Sequence, residues 1–128
     1  MPTTLEDATQ DFYSALNAML SGHAAPMLDV WSHADDVSYM SPFGELLTGW
    51  EPVRASWEAQ AAQRLGGSVA PEELRHYTSP ALGAVVGFER GAVEIDGVST
   101  PVDIRATSLW RVEDDRWAMI GHHTDPLG

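Results

Sequence analysis

Two side chains in the C-terminal half could move a proton, His122 and Glu89. An imidazole titrates near neutral pH and can accept or deliver a proton there. A carboxyl on the same apolar surface, its pKa raised by burial, could share general acid and base work with it. Each also has a plainer reading: a core histidine hydrogen-bonded to a neighbour, and a solvated glutamate at a strand end. Whether the two meet depends on which faces of their strands carry them.

From Ala84 onward the pattern is that of long strands. Asp96-Gly97 is a strong hairpin signal. As a two-residue turn it pairs Ile95 with Val98, Gly87 with Ala106 and Val85 with Ser108. Glu113 to Asp115, taken as a three-residue loop, pairs Val112 with Arg116, Ser108 with Ile120 and Ala106 with His122. Side chains alternate along a strand. One face then carries Val85, Gly87, Glu89, Ile104, Ala106, Ser108, Trp110, Ala118, Ile120, His122 and Thr124. The other carries Arg105, Thr107, Leu109, Arg111, Trp117, Met119, Gly121, His123 and Asp125.

The first face is the more apolar and should meet the helices. It is short of bulk at Gly83, Gly87, Gly91, Ala106 and Ser108, and small residues under a curved sheet leave a void lined by a few polar groups. On this register Arg105, His123 and Asp125 form a charged cluster at an outer, sheet-to-sheet dimer contact. One β-bulge would exchange the faces and make that cluster the pocket instead. Adjacent His122 and His123 point to opposite faces, so no metal site is expected from them, and no cofactor is expected.

The elements that must hold this sheet come first in the chain. Leu5, Ala8, Phe12, Ala15, Leu16 and Met19 recur at three- and four-residue steps and predict a helix that Ser21-Gly22 ends. Thr3 with Glu6 reads as its capping box. A shorter helix follows, with Pro26 in its first turn and Met27, Val30 and Trp31 inward. Val37 to Pro42 has strand character. After Gly49, Val53, Trp57, Ala61 and Leu65 mark a third helix that Gly66-Gly67 stops. Glu73 to Thr78 is a weak strand. Helices first and a twisted, mostly antiparallel sheet second mean α+β, in one domain over residues 1–128.

The chain has 128 residues, 19 acidic against 7 basic, all seven arginine, for a net charge of −12. That balance argues against nucleic acid or an anionic membrane as partner. With no cysteine, disulfides and thiolate chemistry are excluded. No secretory signal and no run of about 20 apolar residues is visible, so a cytoplasmic location is expected.

The segment Ala34 to Trp57, ADDVSYMSPFGELLTGWEPVRASW, resembles the mouth of the pocket in SnoaL-like, ketosteroid isomerase-like domains of the nuclear transport factor 2-like superfamily. Arg105 to Pro126, RATSLWRVEDDRWAMIGHHTDP, is similar to the Arg-x-Thr, acidic-turn-Trp and His-x-Ser-Pro ending of such chains, with Asp125 where Ser is usual. The resemblance implies a cone, with three helices closing a curved sheet around a pocket and a homodimer through the outer sheet face. It puts the isomerase base on Ser41, the neutral oxyanion-hole aspartate near Ser108, a pocket tyrosine on Trp57 and the oxyanion tyrosine near Tyr13. It also turns Val37, Tyr39 and Ser41 inward. Serine lacks the basicity of a carboxylate, so steroid isomerisation by that pair of carboxylates is not expected.

Two functions follow. The first is an enzyme of the cyclase, isomerase, hydratase or hydrolase kind acting on a small apolar molecule. Its walls would be Tyr39, Trp57, Trp110 and Ile120, with His122 as base, Glu89 near the mouth, and Ser41, Ser108 or Tyr13 as donors to a developing oxyanion. The second is a non-catalytic module for ligand binding or dimer assembly, motivated by the missing carboxylates. Protein transport, as in the superfamily's namesake, has no residue that singles it out.

Overall fold

The computed structural model describes residues 4–42 and 44–126. In chain order the elements are α1 (Leu5–Leu20), α2 (Ala25–Val30), β1 (Ser38–Met40), β2 (Leu46–Thr48), α3 (Trp50–Gln63), β3 (Ser68–Thr78), β4 (Leu82–Ile95), β5 (Val98–Glu113) and β6 (Arg116–Pro126). The six strands form one sheet in the order β2-β1-β6-β5-β4-β3. Only β1 and β6 run parallel; the other neighbours are antiparallel. The sheet does not close into a barrel, and with its three helices it makes the expected α+β cone.

Local chemistry sets the helix ends. Thr3 lies outside the described residues; the cap of α1 is Thr4, whose hydroxyl accepts from the Asp7 N–H at 3.0 Å, satisfying an otherwise unpaired donor of the first turn. The predicted apolar positions of α1 are all buried. Gly49 opens α3 at φ +85°, a conformation that favours glycine. That helix ends at Arg64, itself left-handed at φ 47°, before the Gly66-Gly67 pair expected to stop it. Gly67 is needed for another reason: a Cβ there would sit 2.0 Å from the Ala92 carbonyl oxygen.

The helices cover one face of the sheet, and the core lies between them. Trp31, Trp57, Trp110, Phe12, Met27 and Met119 are among its fully buried side chains, each worth about 1.5–3 kcal/mol of burial. Among the described residues no helix is long and apolar enough to cross a membrane.

The β4–β5 hairpin has the predicted register, Ile95 opposite Val98 and Val85 opposite Ser108. The β5–β6 hairpin does not. Its turn is the two residues Asp114-Asp115, both at positive φ (50° and 61°), as a twist-matched two-residue hairpin demands. Glu113 therefore pairs with Arg116, and Ile120 is an extra residue between the pairs Trp110–Met119 and Leu109–Gly121. The shorter turn shifts the ladder by one residue and the bulge shifts it by one more. Two shifts restore parity, so His122 stays on the inner face but faces Ser108 instead of Ala106. Between turn and bulge the faces are exchanged: Met119 and Trp117 lie on the side predicted for Ala118 and Ile120. On the opposite edge, β3 begins at Ser68, earlier than predicted, and its register breaks between Glu72 and Arg75.

Candidate functional site

Residue 89 is on the inner face of β4 and residue 122 on that of β6, with β5 between them. Both are 4% exposed. Their side chains bridge β5 and meet: His122 Nε2 lies 3.0 Å from Glu89 Oε2. The same oxygen accepts from the Tyr13 hydroxyl of α1 at 2.9 Å. Glu89 is therefore no solvated strand-end residue but the centre of a buried hydrogen-bonded triad.

The electrostatics differ from the sequence expectation in a definite way. Burial does push the Glu89 carboxyl up, but the charge and hydrogen bond of His122 and the hydroxyl of Tyr13 outweigh it, holding the carboxyl below its ordinary value. Tyr13 is pushed strongly upward, by burial first and then by the Glu89 charge and hydrogen bond, so it remains a donor. An ionised Glu89 can only accept. Nε2 therefore carries a hydrogen toward Glu89, and in the neutral form of the ring that tautomer leaves a lone pair on Nδ1, which has no protein partner among the described residues.

His122 and Glu89 line a cavity of about 110 Å³ together with Tyr39, Pro42, Trp57, Gln60, Val69, Val102, Ile104 and Thr124, among others. Tyr39 stacks on Trp57 with ring centroids 4.7 Å apart, and its hydroxyl accepts from Gln60 Nε2 at 3.2 Å. The Trp57 indole N–H is buried and, like His122 Nδ1, has no partner among the described residues. The Phe12 ring packs against the imidazole at 4.7 Å.

The cavity thus gathers Tyr39, Trp57, Glu89 and His122 and leaves out others named from sequence. Tyr13 touches it only through Glu89. Ser108 is buried, but its hydroxyl accepts from the Trp110 indole at 2.9 Å, and neither residue lines the cavity. Ser41 is buried in the turn after β1, beside but not on the lining. Ile120 is the bulge residue, partly buried against the core and off the lining. The glycines leave no void either. Leu5 occupies the space over Gly83, Leu74 that over Gly87, and the Ser68 backbone that over Gly91. The open space lies instead between α1, α3 and the Glu89–Ile104 end of the strands.

Sequence reasoning missed Gln60 and Val102. Gln60 stands three residues after Trp57, hence on the same helix face, and Val102 continues the inner parity of Ile104. Those spacings were the available signals. Also unanticipated is the clamp on the Ala34–Asp36 turn. Arg111 holds Asp36 through two hydrogen bonds, of 2.7 and 3.0 Å, and also bonds Glu113 at 2.9 Å. Arg105, His123 and Asp125 lie on the outer face beside an open groove, with Arg105 and Asp125 paired at 2.8 Å. Among the described residues no three His, Asp or Glu side chains gather as a metal site would require.

A helix-capped open sheet with an aromatic, His- and Glu-bearing cavity between helices and strands is a cone-shaped α+β fold. The sequence matches the SnoaL-like domain family over residues 5–125, and the chain belongs to that family. No curated protein matches it. Among solved structures it is similar to a candidate dehydratase of the NTF2-like family from Streptomyces avermitilis, at 20% identity over 96% of this chain and 93% of that one, TM-score 0.84. A candidate calcium/calmodulin-dependent protein kinase type II association domain from Thiobacillus denitrificans shares 27% identity over 98% and 96%, TM-score 0.77. A candidate ketosteroid isomerase from Shewanella frigidimarina shares 16% over 93% and 92%, TM-score 0.74.

Proposed function

We propose that this protein binds a small, largely apolar molecule in the cavity and acts on it as an enzyme of the isomerase, cyclase or hydrolase kind, with His122 Nδ1 as general base. The observation that carries this reading is the 3.0 Å contact between His122 Nε2 and a buried Glu89. A carboxylate that holds one imidazole nitrogen protonated makes the other a base, which is the logic of base–orienter pairs in general. Glu89 is then a positioning residue, and Tyr13 positions Glu89. The base sits on β6, which is why Ser41 and Ser108 can stand where carboxylates serve in ketosteroid isomerases.

General-base action is measurable without knowing the substrate. Incubated in D₂O with acetone, hydroxyacetone or cyclobutanone, the protein should accelerate deuterium uptake at the α-carbons. His122→Gln keeps a donor for Glu89 but has no basic nitrogen, and should lower that rate about 100-fold or more. Exchange that persists in this variant would contradict the role given to His122.

One observation favours a second reading, a non-catalytic module that assembles copies of itself. Leu109 and Tyr77, 45% and 56% exposed, share one cross-strand row on the outer face through Ala84, beside the Arg105–Asp125 pair. Kinase association domains are among the similar structures. Binding of a small ketone without any exchange, in a protein that sediments as a dimer, would favour this reading.

A further inference from the structure

We infer that the cavity seats a neutral small ring or short chain whose hydroxyl or N–H donates to His122 Nδ1. This rests on the pocket proposed above but not on its catalysing anything.

Size comes first. The cavity is about 110 Å³ and open on one side, against about 150 Å³ for a closed apolar cavity that takes benzene, so its inner part seats a small ring or short chain. Charge comes second. Among the described residues no lysine or arginine lines the cavity, and the carboxylate that does is Glu89. An anionic ligand would meet that charge with no lysine or arginine to offset it and with the Nε2 side of His122 already engaged by Glu89, and burying an unpaired ion costs several kcal/mol. A cationic ligand gains little, because two donors already answer the charge on Glu89, the Tyr13 hydroxyl at 2.9 Å and His122 Nε2 at 3.0 Å.

Hydrogen bonding comes third. Of the lining side chains, His122 and Trp57 keep a buried polar atom without a partner among the described residues, Nδ1 and the indole N–H. With Nε2 committed to Glu89, Nδ1 of the neutral ring is an acceptor and calls for a donor. The indole N–H calls for an acceptor. Buried polar groups left unpaired are costly, so a ligand that supplies both is selected over a hydrocarbon of equal size.

Pyrrole and furan test the donor requirement, being rings of nearly one shape of which only pyrrole has an N–H, while the furan oxygen is too weak an acceptor to satisfy the indole. In titrations of the ¹⁵N-labelled full chain followed by NMR, pyrrole should bind about tenfold more tightly than furan, the worth of one well-made hydrogen bond. Pyrrole, and not furan, should displace the His122 Nδ1 resonance. That measurement needs no variant. The double variant Glu89→Met/His122→Phe replaces the buried pair with apolar side chains and should bring the two affinities together. Equal affinities in the natural protein would overturn the donor assignment and leave the pocket standing. Tighter binding of pyrrolidinium or propionate would overturn neutrality. If none of the four probes binds, the pocket reading falls as well.

Discussion

The two faces of the sheet carry the same kind of pair, a carboxylate beside a basic side chain, with opposite consequences. Inside, Glu89 and His122 are each 4% exposed. Outside, the Arg105 and Asp125 side chains are 62% and 44% exposed. Contact distances hardly differ, 3.0 Å and 2.8 Å. The solvent does. Water screens the outer pair and competes for its donors, so its charges are nearly independent of one another. Buried, each member of the inner pair depends on the other for its charge or its tautomer. Placement, not composition, makes one of these pairs a candidate for chemistry.

Substitutions should separate the faces sharply. His122→Ala leaves a buried carboxylate with one donor fewer and should cost about 3–5 kcal/mol in urea denaturation. The near-unchanged stability that a solvated or redundant histidine would show is therefore not the expectation. Tyr13→Phe removes one hydrogen bond to an ionised group, and about 1.5–3 kcal/mol is the expected loss by the same measurement.

Acid titration of stability gives a smaller contrast. The folded-state pKa of Glu89 is depressed below its ordinary 4.5, so its contribution is fully present above that pH. It is lost progressively as pH falls from there through the lower folded value, because over that range the unfolded chain takes up a proton that the folded state still excludes. Glu89→Gln should accordingly flatten the wild-type decline below about pH 4.5. Smallest is the outer pair. Arg105→Ala or Asp125→Ala should change stability by about 1 kcal/mol or less, and salt should reduce even that. An outer effect as large as that of His122→Ala would erase the distinction.

The inner face was legible in the sequence through alternation and one turn dipeptide. Asp96-Gly97 fixes the β4–β5 register, and with it the inward direction of Glu89. The position of His122 was reached through two compensating departures, a shorter Asp114-Asp115 turn and a bulge at Ile120. Acidic residues suit several turn lengths, and a bulge depends on how a long strand must curve over its helices, which no local pattern encodes. The contact of Glu89 with Tyr13 and His122 joins α1, β4 and β6, so it depends on packing depth. That is also why the glycines misled: their space is taken by Leu5, Leu74 and the Ser68 backbone, neighbours that are distant in sequence.

The central claim is that Glu89 fixes His122 with its hydrogen on Nε2 and a free lone pair on Nδ1. A long-range ¹H–¹⁵N correlation spectrum of the uniformly labelled protein near neutral pH reads this tautomer directly. In the neutral ring Nε2 should carry the hydrogen and Nδ1 be bare, and Glu89→Gln should lose that preference. A hydrogen on Nδ1 with Nε2 bare in the natural protein would contradict it.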